Sequence, residues 1–179
     1  MSEHRSEKAA ATPWSMPVAV ENVAETGEHF DLAADAAVRS ALARLAGLRE
    51  LARLEASFDV SRRGAGGLHV AGVVSATVGQ NCVVTLEPLV NEIRETVDLV
   101  FLPPRPGDAP EPDGAPAERK WNDPEPLIGG AVDLGAVATE FLLLGLDPYP
   151  RKPGAVFEPL QDRQPDAGPF AALAKLAKN

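Results

Sequence analysis

Few side chains in this chain have the type and spacing for chemistry. Cys82 is the single cysteine, and His4, His29 and His69 are scattered, with no acid–base partner at a useful spacing. A nucleophile needs a base within hydrogen-bond reach, and a closed zinc site needs four ligands, so neither is spelled out here. Cys82 reads as a small apolar core residue and the histidines as solvated side chains. There is no Gly-x-x-x-x-Gly-Lys-Ser/Thr run to cradle a phosphate, and Gly64-Ala65-Gly66-Gly67 reads as a hairpin turn because no helix follows it. Glu87, Glu92, Glu95 and Asp98 largely alternate along one segment, the pattern of a solvated strand face rather than a carboxylate site. No catalytic, cofactor-binding or metal-binding residue is therefore assigned. Glu140 is the one carboxylate in an otherwise apolar helical run, which calls for a buried salt bridge, to an arginine between 39 and 63, or for a partner contact.

Charge narrows the partners. The net charge is −9, and a phosphate backbone draws Lys and Arg while repelling an acidic surface. The charges are unevenly spread. Residues 36–63 carry Arg39, Arg44, Arg49, Arg53, Arg62 and Arg63 against Glu50, Glu55 and Asp59, whereas residues 103–150 carry nine acids against Arg105, Arg119 and Lys120. A basic protein suits such a chain better than RNA does, and DNA and membrane partners are not expected. The candidate partner-binding residues are Arg39, Arg44, Arg49, Arg53, Asp133 and Glu140. No apolar run is long enough to span a bilayer, residues 1–11 lack the apolar stretch of a secretory signal, and a lone cysteine suits a reducing compartment. The expectation is a cytoplasmic protein.

The elements that position these residues follow from periodicity. The 179 residues are 45% hydrophobic, enough for a real core. Residues 1–14 read as a flexible tail, and 15–168 as one domain. Met16, Val18, Val20 and Val23 suggest a first strand. Phe30-Asp31-Leu32 leads into a helix capped by Asp31 and ended by Gly47, with Leu32, Ala36, Val38, Leu42 and Leu45 on one face. Leu54, Ala56, Phe58 and Val60 alternate with polar residues, and Val70, Gly72, Val74, Ala76 and Val78 return on one face of a second long strand, where Gly72 and Gly79 suggest bends or bulges. Ile93, Glu95, Val97, Leu99 and Phe101 mark a third strand, with a helix as its rival over residues 87–96. Residues 103–120, rich in proline and charge, read as a solvated insert, and Trp121 as the return to structure. Residues 127–132 read as a short strand, and Asp133 as the N-cap of a largely buried helix over 134–146 that Pro148 and Pro150 terminate. Residues 169–179 form a short amphipathic helix. The fold class is α+β: an antiparallel sheet with an N-terminal helix, a buried C-terminal helix and a long acidic Pro-rich loop.

The order of these parts resembles the YceD-like family. The resemblance runs from about Phe58 to the tail. It is carried by residues 72–87 around Cys82, by residues 128–140 with Val132-Asp133-Leu134, and by Phe170-Ala171-Ala172-Leu173-Ala174-Lys175-Leu176. It implies a non-catalytic role in accumulation of large-subunit ribosomal RNA or ribosome assembly. The family's gene often adjoins that of a small basic ribosomal protein, so the implied partner is a basic large-subunit protein, large-subunit ribosomal RNA, or both. Many relatives carry a Cys-x-Arg-Cys pair. Here the run is Cys82-Val83-Val84-Thr85, and Thr85 in place of the second thiol leaves no metal or redox pair. The alternatives are a structural interaction module outside the ribosome and a small metal-independent hydrolase.

The insert carries too little apolar surface to support the core. Replacing residues 104–118 by a short Gly/Ser bridge should leave the melting temperature nearly unchanged, whereas a loss of several degrees in a thermal melt would show that the segment packs on the domain.

Overall fold

The computed structural model describes residues 12–64, 66–104 and 124–157. Most of the tail, the body of the 103–120 insert, Trp121 and the 169–179 helix lie outside the described residues. The element order is β1 (Pro17–Ala19), β2 (Glu28–Ala33), α1 (Ala36–Leu45), β3 (Glu50–Arg63), β4 (Gly67–Asn81), β5 (Pro88–Leu102), β6 (Glu125–Pro126), β7 (Ala131–Asp133) and α2 (Leu134–Leu144). Strands β2-β3-β4-β5-β6 form a five-stranded sheet in that order, and β1 pairs with β7 in a separate ribbon. All pairs are antiparallel except β5 with β6. The described chain is thus mostly β, with two helices on a mixed sheet.

Alternation sets the two faces of this sheet. Leu54, Ala56, Phe58 and Val60 of β3, Val70, Val74, Ala76 and Val78 of β4, and Ile93 and Val97 of β5 are buried. Leu42 of α1, Leu134, Ala138 and Leu142 of α2, and Trp14, Val18 and Val132 near the ribbon complete the same core. The ladder between β4 and β5 runs without a break from Leu68↔Phe101 to Asn81↔Pro88. Residues 87–96 are therefore strand almost throughout: a helix there would leave the facing groups of β4 unpaired.

Several expectations change. Asp31 does not cap α1. Residues 28–33 alternate, with Phe30 opposite Phe58 and Leu32 opposite Ala56, so pairing with β3 claims them as a strand. The cap is Asp35, whose carboxylate accepts from the Val38 N–H at 2.8 Å. Leu45, placed on the buried face of that helix, is 62% exposed; Leu42 and Ala43 do the packing instead. Gly47 does end the helix. It has φ 65°, the Gly47 N–H bonds the Arg44 carbonyl, and the Leu48 N–H bonds the Ala43 carbonyl, a double closure that needs a left-handed residue. The first strand stops at Ala19, and Val20–Asn22 is a 3-10 turn that swings Val23 into the core. Residues 127–132 are not one strand: a 3-10 turn at Ile128–Gly130 separates β6 from β7. Asp133 does cap α2, which ends at Leu144.

Gly72 does not make a bulge. The register break lies on β3 between Leu51 and Arg53. Gly72 faces Phe58 across the ladder, and a Cβ there would lie 2.8 Å from the Phe58 ring and would collide with the Ser57 carbonyl. The missing side chain is the space that the phenyl ring fills. Gly72→Val should cost about 3 kcal/mol, the upper end of overpacking penalties, or abolish folding, read from urea unfolding. Gly79→Ala is the matched control. Its added carbon would lie 3.3 Å from the Glu50 Cβ, an easily relieved contact, and a change within about 0.5 kcal/mol is expected.

Candidate interaction surface

The face of the sheet opposite the helices is polar and open. It carries Arg53, Glu55, Ser57 and Asp59 of β3, His69, Ser75 and Thr77 of β4, and Glu92, Arg94, Thr96 and Asp98 of β5, with His29 and Asp31 of β2 beside them. The carboxylates of Asp31, Asp59 and Asp98 are 78%, 79% and 78% exposed. A shallow depression of about 610 Å³ crosses the face, with Asp31, Glu55, Asp59 and Arg94 around a floor that includes Val73.

Sequence spacing gives the strand histidines no acid–base partner, but strand pairing does. His69 Nε2 lies 2.7 Å from Asp98, across the β4–β5 ladder. His29 Nδ1 lies 2.7 Å from Asp59, while its Nε2 lies 3.2 Å from Asp31 and 3.3 Å from Ser57 Oγ. Serine, imidazole and aspartate stand in the order of a nucleophilic relay, yet the arrangement suits a different role. A carboxylate at each ring nitrogen favours the doubly protonated imidazolium, which cannot take a proton from Ser57. The hydrogen bond to Asp59, chiefly, raises the His29 pKa above its usual value; desolvation opposes it, and Asp31 adds to the rise. Ser57 also sits in a regular ladder between β2 and β4, so its neighbours' N–H groups are engaged rather than aimed at an oxyanion.

The predicted partner-binding residues do not converge. Arg39 donates to the Ala34 carbonyl at 2.6 Å and tethers its own helix. Arg49 bonds Asn81 at 3.1 Å. Arg53 is held between Glu55 and Glu92, each at 3.0 Å. Among these four, Arg44 alone has no side-chain hydrogen bond within the described residues. Arg62, a further member of that stretch, is spent on the Val23 and Glu21 carbonyls. Asp133 is occupied inside the fold: its carboxylate accepts from the Met16 N–H at 2.7 Å, the Ala136 N–H at 3.1 Å and the Ser15 hydroxyl at 2.5 Å, stapling β1 to the start of α2. Partial burial pushes its pKa up, but these bonds outweigh burial and leave it lowered. Glu140 is exposed, not part of a buried salt bridge, because Leu134, Val137, Ala138 and Leu142 turn the opposite side of α2 to the sheet.

Cys82 does more than fill space. It is fully buried at the β4–β5 turn, and its sulfur accepts the N–H groups of Thr85 and Lys152, both at 3.4 Å. The Lys152 N–H first, then Thr85, hold the thiol down to about 6. The turn is closed by Cys82 N–H to the Glu87 carbonyl and Leu86 N–H to the Cys82 carbonyl, with Leu86 at φ 62°. Thr85 donates its hydroxyl to Glu87, which also pairs with Lys152 at 3.0 Å. Among the described residues no group of three or more His, Cys, Asp or Glu side chains is placed to hold a metal ion, and no helix is long and apolar enough to cross a membrane.

The profile of the large ribosomal RNA subunit accumulation protein YceD matches residues 70–177, more than half of the chain. The chain belongs to this family. The match begins at Val70 rather than near Phe58. In the described chain it takes in nearly all of β4, then β5, β6, β7, α2 and the Cys82 turn. Arg39, Arg44, Arg49 and Arg53 fall outside the part that the YceD family shares, and Asp133 and Glu140 fall inside it. No curated protein and no solved structure matches the sequence.

The His29 cluster gives a signed pH dependence. A folded-state pKa above the unfolded value of about 6.5 stabilises the fold fully below that value, and the gain is lost as pH rises through the folded pKa. The NMR titration midpoint of His29 should lie above 6.5 and should fall in Asp59→Asn. Urea midpoints of wild type and His29→Asn should differ most in acid and converge once pH exceeds the folded pKa; a gap that widens with pH would contradict the assignment.

Proposed function

We propose that this protein promotes accumulation of large-subunit ribosomal RNA by binding, as a non-catalytic assembly factor acting in the cytoplasm, and that its partner is a basic protein of the large subunit. The observation that carries this reading is the charge of the open sheet face. Asp31, Glu55, Asp59, Glu92 and Asp98 stand there against Arg53, Arg94 and His29 when protonated, and Arg53 is already paired with two of the acids. Such a surface attracts a polycation and repels a phosphate backbone, in keeping with the net charge of −9. RNA contact through the arginines is disfavoured because Arg39, Arg49, Arg53 and Arg62 are engaged within the fold. A hydrolytic reading is disfavoured by the two carboxylates beside His29, which favour its protonated form over a free base.

Purified large-subunit proteins and naked large-subunit RNA fragments, presented separately at physiological salt, test the proposal. A basic protein should bind and RNA should not. Neutralising Glu55, Asp59 and Glu92 together should weaken the protein complex about tenfold or more, while charge reversal of Arg39, Arg44 and Arg49 should leave it intact. Nanomolar binding to RNA that those reversals abolish would overturn the proposal, as would capture of no large-subunit component.

A further inference from the structure

Among the described residues, strand β5 has a long open edge. Its β4 side is paired along the unbroken register, but on its other side only Phe101 and Leu102 meet β6, and the Leu102 carbonyl accepts the Leu127 N–H at 2.8 Å. In an extended strand the N–H and C=O of one residue point to the same side, and successive residues alternate. Leu102 points outward, so the even-numbered residues from Val90 to Val100 do too. Apart from the Val100 carbonyl, which the Phe101↔Glu125 pairing engages, their outward N–H and C=O groups have no hydrogen-bond partner among the described residues. The far edge of the sheet, β2, is a strand of six residues and offers half as many such positions.

An edge of this length is a template for a further strand unless it is covered or charged. The side chains of Glu92, Arg94, Thr96 and Asp98 stand on the open face beside it, with Glu92 and Asp98 64% and 78% exposed. On the other face of the same strand Leu99 and Phe101 are half-buried against the core. A strand laid along β5 would place alternate side chains among these carboxylates and the rest beside Leu99 and Phe101. We infer that the outer edge of β5 is a docking site for an extended segment of a partner protein with basic and apolar residues in alternation, bound by strand addition. The main-chain bonds supply affinity and the alternation supplies selectivity. The acidic side chains disfavour pairing with a second copy of the same edge and favour a cationic strand. The inference deepens the proposal of a basic protein partner and rests on it for the identity of that partner.

The test uses the full chain and a short labelled peptide of alternating Lys and Val, with a Glu/Val peptide as control. Fluorescence anisotropy at physiological salt should show binding of the first peptide and not the second. Hydrogen exchange should slow at the even-numbered amides of β5 when the Lys/Val peptide is present. Thr96→Pro removes an outward N–H without touching the β4 ladder and should weaken binding about tenfold or more, with an unchanged urea midpoint. Equal binding by a folded Thr96→Pro variant overturns the inference. So do even-numbered amides from Val90 to Val100 already protected in the free chain, or no binding of the Lys/Val peptide. If Thr96→Pro does not fold, the exchange measurement on wild type decides. Capture of a basic large-subunit protein equally by wild type and Thr96→Pro would sink the edge while leaving the proposed function standing. Peptide binding without capture of any such protein would support the edge and overturn the function.

Discussion

Phe58 packing into the space left by Gly72 is the contact around which the sheet is organised. The two residues face each other on adjacent central strands, with Phe30 opposite Phe58 on one side and Val97 opposite Gly72 on the other. This row spans four strands and sets which face of each strand is buried, since a shift of one residue would move every side chain to the opposite face. Helices α1 and α2 then have one apolar surface to cover, and the polar alternates are left together on the other side. The one-sided burial that stabilises the fold is thus also what creates the charged open face.

That face is electrostatically matched within itself, but incompletely. Arg53 bridges two glutamates, and His29 and His69 each lean on aspartates. Exposed pairs of this kind contribute little stability, because water screens them. Their effect lies in the residual field: acids outnumber bases, and they stand where no described element covers them. The same arrangement explains why Ser57, His29 and Asp59 do not read as a hydrolytic centre despite their order. The imidazole is held between carboxylates, in water, without free N–H donors for an oxyanion.

The half of the chain that matches the family is built differently from the arginine-bearing half. Asp133 staples the β1–β7 ribbon to α2, and Cys82 accepts the Lys152 N–H to tie the β4–β5 turn to residues after α2 and the Thr85 N–H to close the turn itself. The Thr85 hydroxyl joins Glu87 and Lys152 in holding the same turn. In this member polar contacts secure that turn with a single thiol, while α1 and its arginines serve mainly to close one side of the core.

Local pattern made much of this legible. The period-two runs from Leu54 to Val60 and from Val70 to Val78 mark strands because a half-buried sheet demands alternation, and Asp133 before an apolar helical run marks a cap because its carboxylate meets backbone N–H groups within one turn. The family resemblance was likewise readable from Cys82, Val132-Asp133-Leu134 and their spacing. What local pattern could not reach was set by partners distant in sequence. Residues 28–33 are a strand only because β3 lies alongside, and that pairing alone brings His29 to Asp59. Glu140 is exposed because α2 turns a different side to the sheet. Arg39, Arg49 and Arg53 look like a basic cluster in the sequence, yet each finds a partner in the fold. Which edge of the sheet stays open depends on strand order, and strand order is a property of the assembled tertiary structure rather than of any segment: each strand carries the same unsatisfied backbone groups until its neighbours are chosen.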